Sequence, residues 1–323
     1  MWRRFLCILC FSFWLPSTWV HAKEIALTFD DAPRASSQCL DAATRSQLLI
    51  QQLQQAAGVP AMFMVTTNNI AKQGNQALKA YVQAGHLLGN HSHSHQHPET
   101  LGLDGYLADV RQSHEQLLAW AAYRPYYRFP FLNEGRTIAM RDGLRKGLSE
   151  IGLTQAYVTI DNYDWYIDQQ LQNALQQQQA VDIQALGDWY VEEMMKSIRF
   201  YDDIAVKHIG RSPKHVLLLH ENDVAALFLG DLIKALTAEG WRLISPIEAY
   251  QDPIASGLPD TLFNNQGRVA ALARLQGVKK RDLVPLNEEE SYLDEKFKRR
   301  VLKHGSDANN EALITRCRAL QPR

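Results

Sequence analysis

The sequence has almost no net charge: 34 Lys and Arg stand against 35 Asp and Glu, a balance of −1. That balance argues against a nucleic-acid partner, which requires a basic surface. It does not exclude an anionic polymer, because a local groove can be basic in a neutral protein. Cysteine is scarce, with four residues, and two of them, Cys7 and Cys10, fall in the first ten positions. The apolar run Phe5 to Trp14 is too short for a comfortable membrane span. No repeat of fixed period stands out. What is present is ordinary for a globular chain: 46% apolar and 21% charged residues. A length of 323 residues admits one large core or two ordinary domains.

The N-terminus has the order of a signal peptide. Arg3 and Arg4 form a basic start, the apolar run follows, and Val20-His21-Ala22 ends in a small residue before Lys23. Residues 1–22 would then be removed and the mature chain would be secreted or periplasmic. An uncleaved anchor and lipid attachment at Cys10 are weaker alternatives. Cleavage would leave Cys39 and Cys317, which an oxidising compartment would let pair; two unrelated thiols is an equal reading.

Periodicity predicts alternating strands and helices. Strands are expected at 24–29, 61–65, 85–90, 126–129, 155–160, 215–219 and 241–244. Helices are expected near 41–57, up to Gly85, over 103–118, up to Ile151, over 166–207 and over 223–238. Gln176 to Gln179 reads as a solvated helix face. Ser245-Pro246-Ile247-Glu248 has a helix-start signature. The alternation predicts a parallel α/β sheet, either a closed barrel or a doubly wound open sheet. After Gln251 the pattern dissolves. Residues 253–323 read as a charged extension with one helical piece, 287–303, lying over the periphery.

Unusual polar residues recur at one place in each βα unit. Asp30 and Asp31 follow the first expected strand, His91 and His95 the third, Arg128 ends the fourth, Asp161 and Asp164 follow the fifth, and His220 ends the sixth. Ligands bind at the carboxyl ends of such strands, so five segments deliver polar groups to one face. On a helical turn His91 and His95 share a side and can grip one ion, and Asp31 would complete a set of two imidazoles and one carboxylate. That set suits zinc, with manganese, cobalt and iron as rivals. The bland reading is a His-rich tract, since His91, His93, His95 and His97 would share one face of an extended segment. Asp30, beside the cation, would stay ionised as a base. His220 would serve as the acid, and Arg128 as partner to a catalytic carboxylate. His86 and His114 are expected to be structural.

These residues resemble the polysaccharide deacetylases with a NodB-type domain, carbohydrate esterase family 4. The resemblance covers about Lys23 to Tyr250. It rests on Thr28-Phe29-Asp30-Asp31-Ala32-Pro33, Asn90-His91-Ser92-His93-Ser94-His95, Arg128-Phe129-Pro130-Phe131, Asp161-Asn162-Tyr163-Asp164-Trp165 and Leu218-Leu219-His220. It implies a distorted seven-stranded barrel over 23–252 and a metal-dependent hydrolase that removes acetyl groups, N-acetyl first, from a polysaccharide or oligosaccharide. It further implies an oxyanion donor in the Phe131 backbone N–H and a groove wall with a supporting Asp in the fourth motif. Trp165 would offer a sugar ring an apolar surface. Asp161 or Asp164 would orient Arg128 or His220, with the two roles not separated. Ala32 stands where the family usually has Gly, Phe131 replaces the commoner Tyr, and Leu132-Asn133-Glu134 follows where Gly is usual. These departures leave open a non-sugar amide substrate on the same scaffold. An inert carbohydrate-binding protein is the other alternative.

Overall fold

The structure is a computed structural model describing residues 22–302. Seven strands form one sheet: β1 (Glu24–Ala32), β2 (Met62–Val65), β3 (Leu87–Asn90), β4 (Tyr123–Tyr127), β5 (Thr154–Gln155), β6 (Lys214–His220) and β7 (Arg242–Leu243). The helices of the barrel region are α1 (Ala42–Leu53), α2 (Thr67–Gln73), α3 (Gln76–Gln83), α4 (Pro98–Leu117), α5 (Ile138–Ile151), α6 (Asp164–Gln176), α7 (Ile183–Ile209), α8 (Asp223–Ala238) and α9 (Pro246–Ala249). Two more follow in the extension, α10 (Arg268–Leu275) and α11 (Glu290–Arg300). Among the described residues no helix is long and apolar enough to cross a membrane.

All strand pairs are parallel, in the order β5-β4-β3-β2-β1-β6. A parallel bridge between Ile160 and Leu217 brings the chain after β5 against β6, so the sheet curls into a distorted barrel. β7 pairs with β1 only at Glu24 and Ile25, below the point where β2 begins its pairing at Thr28. Buried on both faces, β1 and β6 read as continuous apolar runs: Ile25, Ala26, Leu27 and Phe29 on one, Val216 to Leu219 on the other. Phe29 stacks on Phe63, which stacks in turn on Tyr81. Local chemistry sets the helix ends. The Asp41, Thr137 and Asn222 side chains cap α1, α5 and α8, and Gly152, at φ 86°, closes α5.

Several boundaries differ from the sequence pattern. The fifth strand shrinks to Thr154–Gln155, because residues up to Ile160 turn across to β6 instead of continuing beside β4. The long helix expected over 166–207 is two helices. Gln176 to Gln179 is no helix face: α6 ends at Gln176, and Gln178 turns at φ 57°. The extension is better built than its composition suggests. Val269, Ala270 and Ala273 of α10 and Leu293 and Phe297 of α11 are buried in the same core as the barrel strands. Asp182 N–H donates to Val301 O at 2.8 Å, tying the loop before α7 to the end of the extension. The signal peptide lies outside the described residues. Cys39 is buried and disulfide-bonded; the remaining cysteines, Cys317 included, lie outside the described residues.

Candidate active site

The carboxyl ends of the strands open into one cavity of about 540 Å³. Its wall includes Asp30, Asp31, His91, His95, Phe131, Asp161, Trp165 and His220, so eight of the ten candidate residues line it. Arg128 and Asp164 lie behind the wall, each 0% exposed.

Asp31, His91 and His95 offer ligand atoms that all lie within 4.8 Å of one another. His95 Nε2 is 3.1 Å and His91 Nε2 3.7 Å from Asp31 Oδ1. No helical turn brings the two imidazoles together. They sit on a loop in which Ser92 and His95 adopt positive φ. Asn90 Oδ1 accepts from Ser92 N–H, and the Asp109 carboxylate accepts from His93 and Ser94 N–H. His91 Nδ1 lies 2.9 Å from Arg128 O. Donation to that carbonyl leaves Nε2 as the free ring nitrogen, the usual arrangement behind a metal-binding histidine. Burial holds the His91 pKa down at about 4, so the ring is neutral and can ligate at neutral pH. Burial opposes charge on Asp31, yet the hydrogen bond from His95, with the nearby His220, holds its carboxyl well below the usual range. Two imidazoles and one carboxylate in a partly open cavity fit a divalent cation. The alternating His tract does not act as one face: His93 reaches Thr67 Oγ1 at 2.9 Å, and His97 stacks on Phe131 with ring centroids 3.9 Å apart.

Asp30 is held from behind. Arg128 Nη1 donates to Asp30 Oδ1 at 2.6 Å, and Oδ2 lies 3.7 Å from His91 Nε2. The other Arg128 donors reach Thr28 Oγ1, Ala156 O and Tyr250 Oη, so its guanidinium is fully engaged. At the end of β6, His220 Nδ1 lies 2.7 Å from Asp164 Oδ1. Asp164 Oδ2 accepts from His220 N–H and from Asn222 Nδ2. Burial lowers the His220 pKa, but the charge and hydrogen bond of Asp164 outweigh it and push it up to about 9. The two acids of the fourth motif thus part company. Asp164 backs His220, while Asp161 accepts from Asn162 N–H at 2.9 Å. Burial, with the nearby charge of Glu288, raises the Asp161 pKa well above its ordinary value. Asn162 bolts this motif to β6 through a 2.6 Å bond from Nδ2 to Leu218 O.

Phe131 is 43% exposed and lies edge-on to His95. Phe131 and Leu132 both have positive φ, at 58° and 49°, a conformation costly for bulky residues. The extension clamps this turn: Asn265 Nδ2 donates to Phe131 O at 3.0 Å, and Asn265 N–H to Leu132 O at 3.3 Å. Asn265 also lines the cavity, as do Tyr163, Arg34, Gln169 and Gln172. None of these was singled out as a site residue in the sequence: Arg34, Tyr163 and Asn265 lie in loops, where polar residues carry no periodic signal, and Gln169 and Gln172 are two of many glutamines in and after α6. His86 and His114 are structural as expected, with His86 Nδ1 accepting from Ala61 N–H and His114 Nδ1 bonded to Tyr123 Oη.

Residues 19–156 match the family model described as polysaccharide deacetylase. Over this stretch the chain is similar to that family. The matched stretch includes Asp30, Asp31, His91, His95, Arg128 and Phe131 and ends before Asp161 and His220. A peptidoglycan-N-acetylglucosamine deacetylase of Bacillus cereus is 26% identical over 163 residues, 47% of this chain and 54% of that protein. The chain therefore spans about half the length of this curated relative. Among solved structures, a polysaccharide deacetylase from Bacillus cereus superposes with a TM-score of 0.50 at 19% identity, over 69% of this chain and 91% of that one. A family 4 pseudoenzyme from Bacillus anthracis gives 0.50 at 17% identity, over 71% and 66%. These two structures share the fold, and the distorted parallel barrel is common to them and to this chain.

Proposed function

We propose that this chain is a metal-dependent hydrolase that removes acetyl groups, N-acetyl first, from a carbohydrate polymer or oligomer, and that the deacetylase domain spans 23–252 of an exported protein. One observation carries the reading. A cation-binding trio, a carboxylate backed by arginine and a histidine backed by aspartate all converge on one cavity at the carboxyl ends of the strands.

Asp31, His91 and His95 would hold the cation, with zinc as the first choice. Such a cation, when bound, supplies positive charge that acidifies a water and polarises the acetyl carbonyl. Asp30 takes the proton from the attacking water. Arg128 holds one Asp30 oxygen, leaving the other directed at the cavity. The C–N bond of the tetrahedral adduct then breaks. His220, its Nδ1–H donated to Asp164, gives the Nε2 proton to the departing amine. The products are acetate and a free amino sugar. Phe131 N–H would donate to the oxygen on which charge develops, and one such donor is typically worth roughly 10²–10³ in rate. Trp165 and Tyr163, ring centroids 5.2 Å apart, give a sugar ring an apolar surface.

The test is acetate release from N-acetylglucosamine oligomers by the purified chain, with and without chelator and with zinc restored. Bound metal is measured in parallel. Chelator-sensitive, zinc-restored release that is absent in Asp31→Ala supports the reading. Full activity in chelator, or no acetate from a zinc-loaded chain, overturns it.

A further inference from the structure

Arg34 lies three residues beyond the turn of β1 that carries Asp31, and it lines the same cavity. Its backbone is tied at both ends: its N–H donates to Glu221 Oε2 at 2.5 Å, and its carbonyl accepts from Arg45 Nη1 at 3.4 Å. Its side chain is not tied. Among the described residues the guanidinium makes no hydrogen bond or ion pair, and Nη1 is sealed from water without a partner. A buried unpartnered donor on a charged group is costly and rare in native proteins.

The surrounding groups explain why no internal partner comes. Arg45 pairs with Asp223 at 2.7 Å, and Arg128 pairs with Asp30 at 2.6 Å. Asp168 accepts from the backbone N–H groups of Asp223 and Val224 through Oδ1, and it feels the charge of Arg34 without forming an ion pair with it. Glu221 accepts from Tyr81 Oη at 2.7 Å besides the Arg34 N–H. Those charges act on Arg34 from a distance, and among the described residues no group hydrogen-bonds its guanidinium, while the cavity that it lines is open to a ligand. That cavity otherwise carries acidic side chains, Asp30, Asp31 and Asp168 among them, which work against an anionic ligand. A neutral sugar gives an arginine there nothing ionic to bind, whereas an acidic sugar requires one.

We propose that Arg34 recognises an anionic substituent, a carboxylate or a phosphate, on the acetylated sugar or on the residue joined to it. The inference rests on the carbohydrate reading above and narrows it to acidic glycans. A guanidinium presents a planar fork of N–H donors that matches both anions, and it stays charged at any working pH. Gln169 lines the same cavity and brings amide donors to it. A cavity of about 540 Å³ leaves room for such a group beyond the acetyl itself.

The experiment compares three ligands of matched length on the zinc-loaded full chain: neutral N-acetylglucosamine oligomers, oligomers containing N-acetylmuramic acid for the carboxylate, and phosphorylated N-acetylglucosamine oligomers. Calorimetry gives dissociation constants and acetate release gives kcat/KM, for wild type, Arg34→Gln and Arg34→Lys. The expected result is that wild type prefers one acidic ligand by about tenfold or more, the range of a charge-assisted hydrogen bond. The preference shrinks with added salt, collapses toward one in Arg34→Gln and survives in part in Arg34→Lys. Which acidic ligand is preferred identifies the anion. No acidic preference in wild type overturns the proposal, and so does a preference that Arg34→Gln retains. Should Arg34→Gln fail to fold, judged by its melting transition, wild type and Arg34→Lys decide on the same criteria. Acidic preference in binding without acetate release from any ligand would refute the hydrolase and leave Arg34 as an anion site. Acetate release without acidic preference would do the reverse.

Discussion

In the proposed reaction His220 and Asp30 face one cavity with opposite requirements, since an acid must hold its proton and a base must lack one. Asp164 meets the first by raising the His220 pKa to about 9. Activity should therefore persist through neutral pH and fall on an alkaline limb as His220 deprotonates. A seated cation repels the imidazolium and draws that limb down from about 9. Asp164→Asn removes the partner charge and should move the limb lower still, toward the ordinary histidine value near 6.5, as a pH–rate profile of both proteins checks. The sign for stability is the same. The raised pKa contributes fully below about 6.5, and the contribution is lost as pH rises through about 9. Asp30→Asn and His220→Ala should each lower kcat by roughly 10²–10⁴, with melting transitions close to wild type. At this scale much was legible. Asp31, His91, His95, Arg128 and His220 stood out because charged or ionisable residues ending apolar strands have few structural uses. Arg34 did not, since an arginine after a proline in a loop looks like any surface residue. Only its missing partner distinguishes it.

The elements show which patterns the sequence carries and which it hides. The helix α8 was readable to the residue because an Asn cap and a continuous apolar face mark it. The fifth strand was not, because an apolar run cannot say whether the chain stays beside β4 or crosses to β6. The segment holding Asn265 had no periodicity at all, yet it clamps the Phe131–Leu132 turn. Asn265→Ala should release that turn. We expect kcat/KM for oligomers to fall about fivefold to tenfold, consistent with the ~1 kcal/mol of one hydrogen bond, while the melting temperature moves by only about 2 °C or less. A loss of several times that in melting temperature, with kinetics unchanged, would assign Asn265 to the scaffold alone.

For the whole molecule, the extension after residue 252 is part of the core. Phe297 is 3% exposed and packs by Trp189, so Phe297→Ala should cost about 3 kcal/mol or more in urea unfolding. A peripheral helix would lose far less. Glu288 of the same segment is buried, and that burial raises its pKa to about 7 although Gln266 and Tyr201 donate to it. Its contribution to stability is complete below the unfolded value near 4.5 and fades as pH rises through about 7. Unfolding free energy should decline between pH 5.5 and 8, and the decline should be shallower in Glu288→Gln.

The closing seam between β1 and β6 joins Asp30 to His220 across most of the chain. Contacts of such long sequence separation form late and slowly. As the polypeptide emerges from the ribosome, the residues suited to gripping a cation, the last of them His95, are made well before the strand that seals the barrel around them. The nascent chain thus passes through an interval in which exposed imidazoles precede their enclosure. On the proposed metal-dependent reading, a cation acquired in that interval would meet an open coil rather than a shaped cavity, and loading would belong after chain completion, when β6 has docked.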